Sequence, residues 1–168
     1  MLKIVCITFC VLALSGCAGL PIPYTTVTSF NPDETTSLLA DGKNTINGNA
    51  FMRQNGGGVV TCAGATVALI PATEYAAERI TAIYGNSFEG ISRKNVIFKP
   101  EQIGYEKFRK TTTCDSLGNF QFESVADGEF FVITRVTWMV GNYNPQGALM
   151  MKSVKVTNKQ TLKVVMAN

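Results

Sequence analysis

The sequence predicts an all-β fold, a single β-sandwich of about seven short strands. Three observations support this prediction. Charged residues make up only 16% of the chain, whereas aromatic and β-branched residues are plentiful. Apolar and polar residues alternate with period two in several segments. Turn signals such as Asp127-Gly128 separate these segments at the short spacing of antiparallel strands. The composition therefore favours a β-rich domain over a helical bundle.

The first strands are predicted after the turn at Asp41-Gly42. From residue 45 to residue 52, apolar or small residues alternate with polar ones, which is typical of a half-buried strand. The three glycines at 56–58 interrupt this pattern. The next apolar segment, residues 65–69, ends at Pro71, because proline cannot continue a central hydrogen-bonded ladder.

The longest strand is predicted after the Asp127-Gly128 turn. Phe130, Val132, Val136 and Trp138 line one side of it, with Thr134 among them. Phe131 and Ile133 lie on the opposite side, which predicts that the first half of the strand is covered on both faces. Other strands are predicted at residues 106–114, 120–123, 154–156 and 162–166, with a turn at 115–119.

A long insertion, residues 73–110, separates two of the predicted strands. It begins with a predicted helix from Thr73 to Tyr84, with Thr73 as the N-cap. Its aromatic and basic residues are consistent with two alternatives, a protein interface or a cover that protects one sheet edge from pairing. The candidate interaction residues are Tyr75, Arg79, Tyr84, Phe88, Arg93, Lys94 and Phe98.

The N-terminal residues have the pattern of an export signal. Lys3 precedes an apolar stretch from Ile4 to Leu14, too short to span a bilayer. The following Leu14-Ser15-Gly16-Cys17 resembles the bacterial lipobox, which implies a signal peptide over residues 1–16 and a lipidated Cys17. The alternative is an ordinary cleaved signal peptide. Residues 17–44, which contain Pro21, Pro23 and Pro32, are predicted to form a flexible tether, and residues 45–168 the folded domain.

The number and positions of the cysteines and the absence of histidine limit which disulfides, catalytic sites and metal sites the chain can form. Cys6 and Cys10 leave with the signal peptide, and Cys62 and Cys114 then form a candidate disulfide. The alternative is two buried thiols that do not meet. The chain has no histidine, which excludes Ser-His-Asp and Cys-His catalysis within it and leaves a poor metal-ligand set. We therefore expect no metal and no cofactor. The net charge of +3 gives no electrostatic reason to expect nucleic-acid binding.

Four motifs in sequence order resemble the carboxypeptidase regulatory-like domain. They are Ile46-x-Gly48, Gly64-Ala65-Thr66-Val67-Ala68-Leu69, Thr113-x-Asp115-x-x-Gly118-Asn119-Phe120-Gln121-Phe122 and Asp127-Gly128-Glu129-Phe130. The resemblance covers residues 45–71 and 110–166. It implies a transthyretin-like (prealbumin-like) Greek-key sandwich that is not catalytic and that supports folding or makes contacts. An unrelated immunoglobulin-like sandwich would share much of this patterning.

These features lead us to expect a non-catalytic envelope lipoprotein. Its sandwich would act as a structural or protein-interaction module, and the protein is a candidate subunit of an envelope or secretion assembly with another envelope protein as partner. Ala18 follows the cysteine where, by resemblance to Gram-negative lipoproteins, aspartate would direct retention in the inner membrane. We therefore expect the outer membrane, with its periplasmic and surface faces both open.

The sequence is also compatible with two other functions, ligand binding and catalysis. A small-ligand or glycan binder could use Trp138, Tyr143 and Tyr84 as stacking faces. It could use the amides of Asn142, Asn144 and Gln146 as hydrogen-bonding groups. The alternative for Trp138 is simple core packing. An enzyme would need a carboxylate site, for which the candidates are Asp115, Asp127 and Glu129.

Overall fold

A computed structural model describes residues 20–168; the predicted signal peptide, residues 1–16, and the predicted lipidation site, Cys17, lie outside the described residues. The first half contains β1 (Ile22–Tyr24), α1 (Pro32–Leu39), β2 (Asp41–Arg53), β3 (Val59–Thr61), β4 (Thr66–Pro71) and α2 (Glu74–Tyr84). The second half contains β5 (Glu89–Ser92), β6 (Val96–Phe98), a 3-10 turn (Tyr105–Lys107), β7 (Lys110–Thr113), β8 (Asn119–Val125), β9 (Gly128–Val140), β10 (Asn144–Val156) and β11 (Thr161–Met166).

Two sheets face each other across one core, which confirms the predicted β-sandwich. One sheet has the order β5-β10-β9-β4-β7. In the other, β2 pairs with β11 in parallel along one side and with β8 and then β3 along the other. The period-two pattern of β2 places Ile46, Ala50 and Met52 in the core, opposite Val132 and Val136 of β9.

Two glycines of the recognised motifs have steric roles in the sheet of β2. Gly48 lies opposite Phe120 in the register of β2 and β8, and a Cβ atom at Gly48 would overlap the Phe120 ring. Gly118 has φ = 82°, in the left-handed region, where its turn passes close to the carbonyl of Ala50. Glycine at position 48 thus creates the space that Phe120 fills in the core.

Helix α2 confirms the predicted start of the insertion and adds a third layer. The Thr73 side chain accepts a hydrogen bond from the amide of Ala76, and Gly85 ends the helix in the left-handed conformation. The buried face of α2 packs on the outer side of the five-stranded sheet, where Ile80 joins Phe131 and Met151 in a second apolar cluster. The prediction that β9 is covered on both faces is thereby confirmed.

The predicted disulfide between Cys62 and Cys114 is present. Their Cα atoms lie 5.8 Å apart, within the range for a disulfide. Both residues are buried in the main core. The bond joins the segment after β3 in one sheet to the end of β7 in the other, so it ties the two sheets together.

The N-terminal segment differs from the flexible tether that we predicted over residues 17–44. β1 pairs in parallel with β6, and the amides of Val27 and Thr28 each donate a 2.8 Å hydrogen bond to the carboxylate of Glu78 on α2. α1 follows, with Asn31 as its N-cap. Residues 22–30 are therefore bound to the insertion, because β6 and Glu78 provide partners for their backbone groups. α1 contacts β4, and residues 41–44 already belong to β2.

Two strand boundaries also differ from the predictions. Residues 105–107 form a 3-10 turn and β7 begins only at Lys110, because Phe108 packs on the ring of Phe30 instead of entering the sheet. β10 begins at Asn144, far before the predicted 154–156. Its polar first half is held in register by backbone pairing with β9.

Removal of the disulfide should destabilise the fold strongly. In the chain-entropy model, a loop spanning 52 residues of sequence separation contributes about 4 kcal/mol to the free energy of unfolding. We expect the double variant Cys62→Ala/Cys114→Ala to lose about this amount in urea denaturation under oxidising conditions. Wild type measured with reductant is the matched control and should approach the variant. Equal unfolding midpoints for oxidised wild type and variant would contradict the prediction.

Acidification should release the N-terminal segment from α2. The hydrogen bond from the Val27 amide, with further ones from Thr28 and Tyr24, lowers the pKa of Glu78. The stabilisation is present above the pKa of the unfolded chain, about 4.3, and is lost as the pH falls through the lowered pKa of the folded state. Amide protection factors of Val27 and Thr28 should therefore fall on acidification.

The Glu78→Gln variant should show reduced protection of these two amides already at neutral pH, because charge-assisted hydrogen bonds are about twice as strong as neutral ones. Glu106→Gln, an exposed site outside this contact, is the matched control and should protect them as wild type does. Protection that is independent of both pH and the Glu78 substitution would refute the role of the carboxylate.

Candidate functional site

Three of the predicted interaction residues lie inside the insertion instead of on its surface. Tyr75 is only 1% exposed and Phe98 6% exposed. Between them, the guanidinium carbon of Arg79 lies 3.9 Å from the centroid of the Phe98 ring and 5.5 Å from that of Tyr75. These three side chains therefore pack the insertion from within and are not free to contact a partner.

Arg79 is also the hydrogen-bonding centre of this cluster. Its Nη1 donates to the Glu101 carboxylate at 2.7 Å and to the Tyr75 hydroxyl at 3.0 Å. The Tyr105 ring lies 4.6 Å from the guanidinium carbon, and burial raises the pKa of its phenol to about 12. Phe30 packs on Tyr75 and Tyr105 from the N-terminal segment, a member that no sequence pattern identified.

The other four candidates do not form one surface. Tyr84 packs against the second apolar cluster, and burial raises the pKa of its phenol, whose oxygen has no hydrogen-bond partner among residues 20–168. Phe88 is 76% exposed and precedes β5. Arg93 and Lys94 are exposed after β5, the strand that covers the edge of β10. The insertion thus covers one face and one edge of the five-stranded sheet, as the second alternative predicted.

A cleft opens at one end of the sandwich, where β9 and β10 extend beyond the core. Trp138 and Gln146 are directly opposite each other in the register of these strands and continue the row of Val136 and Ala148, which faces the core. The end of β2 and the turn that follows it form the other wall. The lining residues are Met52, Arg53, Gln54, Asn55, Gly56, Arg93, Trp138, Val140, Asn144, Gln146 and Asn168.

The cleft has a volume of about 400 Å³, within the range of small-molecule sites. Trp138 is partly exposed and packs against the edge of the main core, so its ring serves both as core packing and as a wall of the cleft. Five of the other lining residues carry side-chain amides, and none is acidic. This combination of one indole face with many amides suits a polar ligand that also has an apolar face.

Hydrogen bonds within the protein hold several of these amides. The Gln146 amide nitrogen donates to the Asn144 side-chain oxygen at 2.9 Å, and the Gln146 oxygen and the Asn144 nitrogen have no hydrogen-bond partner among the described residues. Asn168 accepts from the Arg53 backbone amide at 2.6 Å and donates to the Arg53 carbonyl at 3.1 Å. The C-terminal residue therefore fixes the end of β2 as one wall of the cleft.

The other residues of the predicted ligand site lie elsewhere. Tyr143 is 91% exposed in the turn between β9 and β10 and does not line the cleft, and neither does Asn142. Tyr84 lies under the insertion. The structure thus brings together Trp138, Asn144 and Gln146 from the predicted set. Sequence analysis missed the second wall, because Arg53, Gln54, Asn55 and Asn168 read as turn and terminal residues.

The three carboxylates weighed as a catalytic site hold turns or ion pairs at separate places. Asp115 accepts hydrogen bonds from Asn119 and Leu117, and those from Asn119 in particular lower its pKa. Asp127 accepts from the Asn44 side chain at 2.8 Å, and Glu129 pairs with Lys155 at 2.9 Å. Across residues 20–168, no group of three potential metal-ligating side chains is placed to hold an ion. In the same part of the chain, no helix is both long and apolar enough to cross a bilayer.

Comparison with known proteins supports the fold but identifies no family. No family model and no curated protein matches the sequence. Among solved structures, the chain is similar to a protein from Pseudomonas aeruginosa described as a proposed carbohydrate binding protein, with a TM-score of 0.67 and 23% identity. The match covers 84% of this chain and 99% of the other. At this identity the similarity shows a shared fold alone, and the resemblance to the carboxypeptidase regulatory-like family stays a prediction.

Proposed function

We propose that this protein is a non-catalytic carbohydrate-binding protein whose ligand occupies the Trp138 cleft. The observation that carries the proposal is the pairing of a partly exposed indole with amide side chains from two sheets in one cleft. A pyranose ring has an apolar face of C–H groups that packs on an aromatic ring, and hydroxyl groups that both donate and accept hydrogen bonds. An amide both donates and accepts as well, so it matches hydroxyl pairs better than a carboxylate does.

The structural comparison supports a binding function in general, without identifying the ligand or the site. The Pseudomonas aeruginosa protein, which has the same fold over nearly its whole length, is described as a proposed binder of carbohydrate and not as an enzyme. The placement of Asp115, Asp127 and Glu129 in turns and an ion pair also favours a binding role, because each carboxylate is engaged by a local partner.

A role in protein interaction remains a prediction with a narrower basis. Of the candidate residues, Phe88 is the large apolar side chain left exposed, beside the edge strand β5. An exposed phenylalanine next to an open strand edge is a suitable contact for an envelope partner. This surface is separate from the cleft, so the two functions can be tested by different substitutions.

The lipid anchor at Cys17 also remains a proposal. The fold limits how far from the membrane such an anchor would allow the domain to lie. From Cys17 to the first paired residue, Ile22, the chain can span at most about 17 Å. The docked N-terminal segment would therefore hold the domain close to the outer membrane, with Leu20 and Ile22 exposed near the anchor. This differs from the prediction of a flexible tether over residues 17–44, which would hold the domain away from the bilayer.

Truncation of the indole should abolish carbohydrate binding. Trp138 is the one tryptophan of the chain, so its fluorescence in the wild type reports directly on the cleft during titration with dextran, galactomannan and polygalacturonate. By calorimetry, Trp138→Ala should weaken binding of the responding polysaccharide at least about tenfold, and Gln146→Ala about threefold to tenfold, as expected for one lost hydrogen bond. Gln160→Ala, an exposed glutamine outside the cleft, is the matched control. Unchanged emission with all three polymers would count against the proposal.

Loss of Cys17 should abolish lipid attachment. When the full chain is expressed in a Gram-negative bacterium supplied with radiolabelled palmitate, wild type should incorporate label and sediment with the outer membrane. Cys17→Ala should lose the label, whereas Cys10→Ala, a control within the apolar stretch, should keep it. Labelling that persists in Cys17→Ala would show that the lipobox has been misassigned.

A further inference from the structure

The Trp138 cleft contains two arginines that form no ion pair within the described residues. Arg53 and Arg93 both line it, and no aspartate or glutamate does. Neither arginine takes part in the ion pairs found within residues 20–168. Those pairs use Arg79, Lys110, Lys152 and Lys155.

Contacts other than ion pairs position both arginines. The Arg93 Nε donates to the Gly147 carbonyl at 3.1 Å, which orients the guanidinium and leaves its two terminal nitrogens without an acceptor in the described chain. Arg53 is held at its backbone by the Asn168 side chain, and its guanidinium carbon lies 6.0 Å from the centroid of the Phe51 ring. Arg53 belongs to the β2 wall of the cleft and Arg93 to the segment after β5, so the two arginines lie on different walls.

We propose that the ligand is an acidic carbohydrate whose oxyanion group, a carboxylate or a sulfate, is bound by Arg53 and Arg93. This inference rests on the proposed carbohydrate-binding function and adds the class of sugar. A guanidinium binds a planar oxyanion through two parallel hydrogen bonds, and such charge-assisted bonds are stronger than those of neutral amides. Trp138 would pack on the ring face, and the Gln146 and Asn144 amides would bind the hydroxyl groups.

The test compares oligosaccharides that differ in charge. Trigalacturonate carries carboxylates, and its methyl ester keeps the same rings and hydroxyl groups without the charge. A sulfated galactose trisaccharide distinguishes sulfate from carboxylate. Titrations followed by Trp138 emission and by calorimetry should give at least about tenfold tighter binding for one of the charged probes than for the methyl ester. The preference should shrink as the salt concentration rises.

The variants assign this preference to the two arginines. Arg53→Gln and Arg93→Gln should each weaken binding of the charged probe about tenfold and weaken binding of the methyl ester by a smaller factor. The affinities of Arg53→Lys and Arg93→Lys for the charged probe should lie between those of the glutamine variants and of wild type. Lysine keeps the positive charge but cannot form the two parallel hydrogen bonds of a guanidinium. Arg109→Gln, an exposed arginine of the insertion, removes one charge outside the cleft and should behave as wild type. Equal melting temperatures establish that all variants are folded.

The outcomes separate this inference from the function on which it rests. Equal affinity for the charged probes and the methyl ester would overturn the acidic preference and leave carbohydrate binding in place. A preference that survives both glutamine substitutions, or is lost equally in Arg109→Gln, would overturn the assignment to Arg53 and Arg93. Binding of none of the three probes would overturn the acidic preference, and the proposed function would fall as well only where dextran and galactomannan also leave Trp138 emission unchanged.

Discussion

The burial of Phe131 and Met151 beneath α2 is the contact on which the rest of the architecture depends. These side chains point away from the main core, and a two-layer sandwich would leave them in water. The helix removes their apolar surface from solvent, which is the dominant favourable term in folding. The insertion is thereby fixed to the sheet at its start. Each later contact of the insertion, including β5 along the edge of β10, follows from that placement.

The outer side of α2 supports a second set of contacts. Arg79 projects into the cluster of Phe98, Tyr75 and Tyr105, and Glu78 receives the N-terminal segment. A charged residue inside such a cluster is tolerated because Glu101 and the Tyr75 hydroxyl accept its hydrogen bonds and aromatic faces surround its cation. Aromatic and basic residues that resemble an interface in sequence thus hold three segments of one chain together.

The cleft arises because β9 and β10 are longer than the core that the two sheets enclose. β9 and β10 each have 13 residues and continue past the point where the core ends at Val136 and Ala148. Their extension can persist because backbone pairing between them satisfies its polar groups without burial. Trp138 stands at the boundary, with one side on the core and the other in the cleft. Packing on the core holds the indole in place, and the extended part of β10 contributes the polar side chains of Asn144 and Gln146 to the cleft.

The sequence alone determined the elements whose signals are local. Thr73 caps α2 because its side-chain oxygen accepts a hydrogen bond from the amide three residues later, a contact that needs no distant residue. The alternation from Ile46 to Met52 determines which face of β2 is buried. Cys62 and Cys114 could be predicted as a pair because the other three cysteines, Cys6, Cys10 and Cys17, fall in the predicted signal peptide and lipidation site. The tertiary structure decided what depends on distant partners. Glu78 meets Val27 across 51 residues, and Arg53 meets Asn168 across 115. The cleft combines the end of β2, the residue after β5, two strands and the C-terminus, and no local pattern encodes such a meeting, because it depends on how the sheets stack.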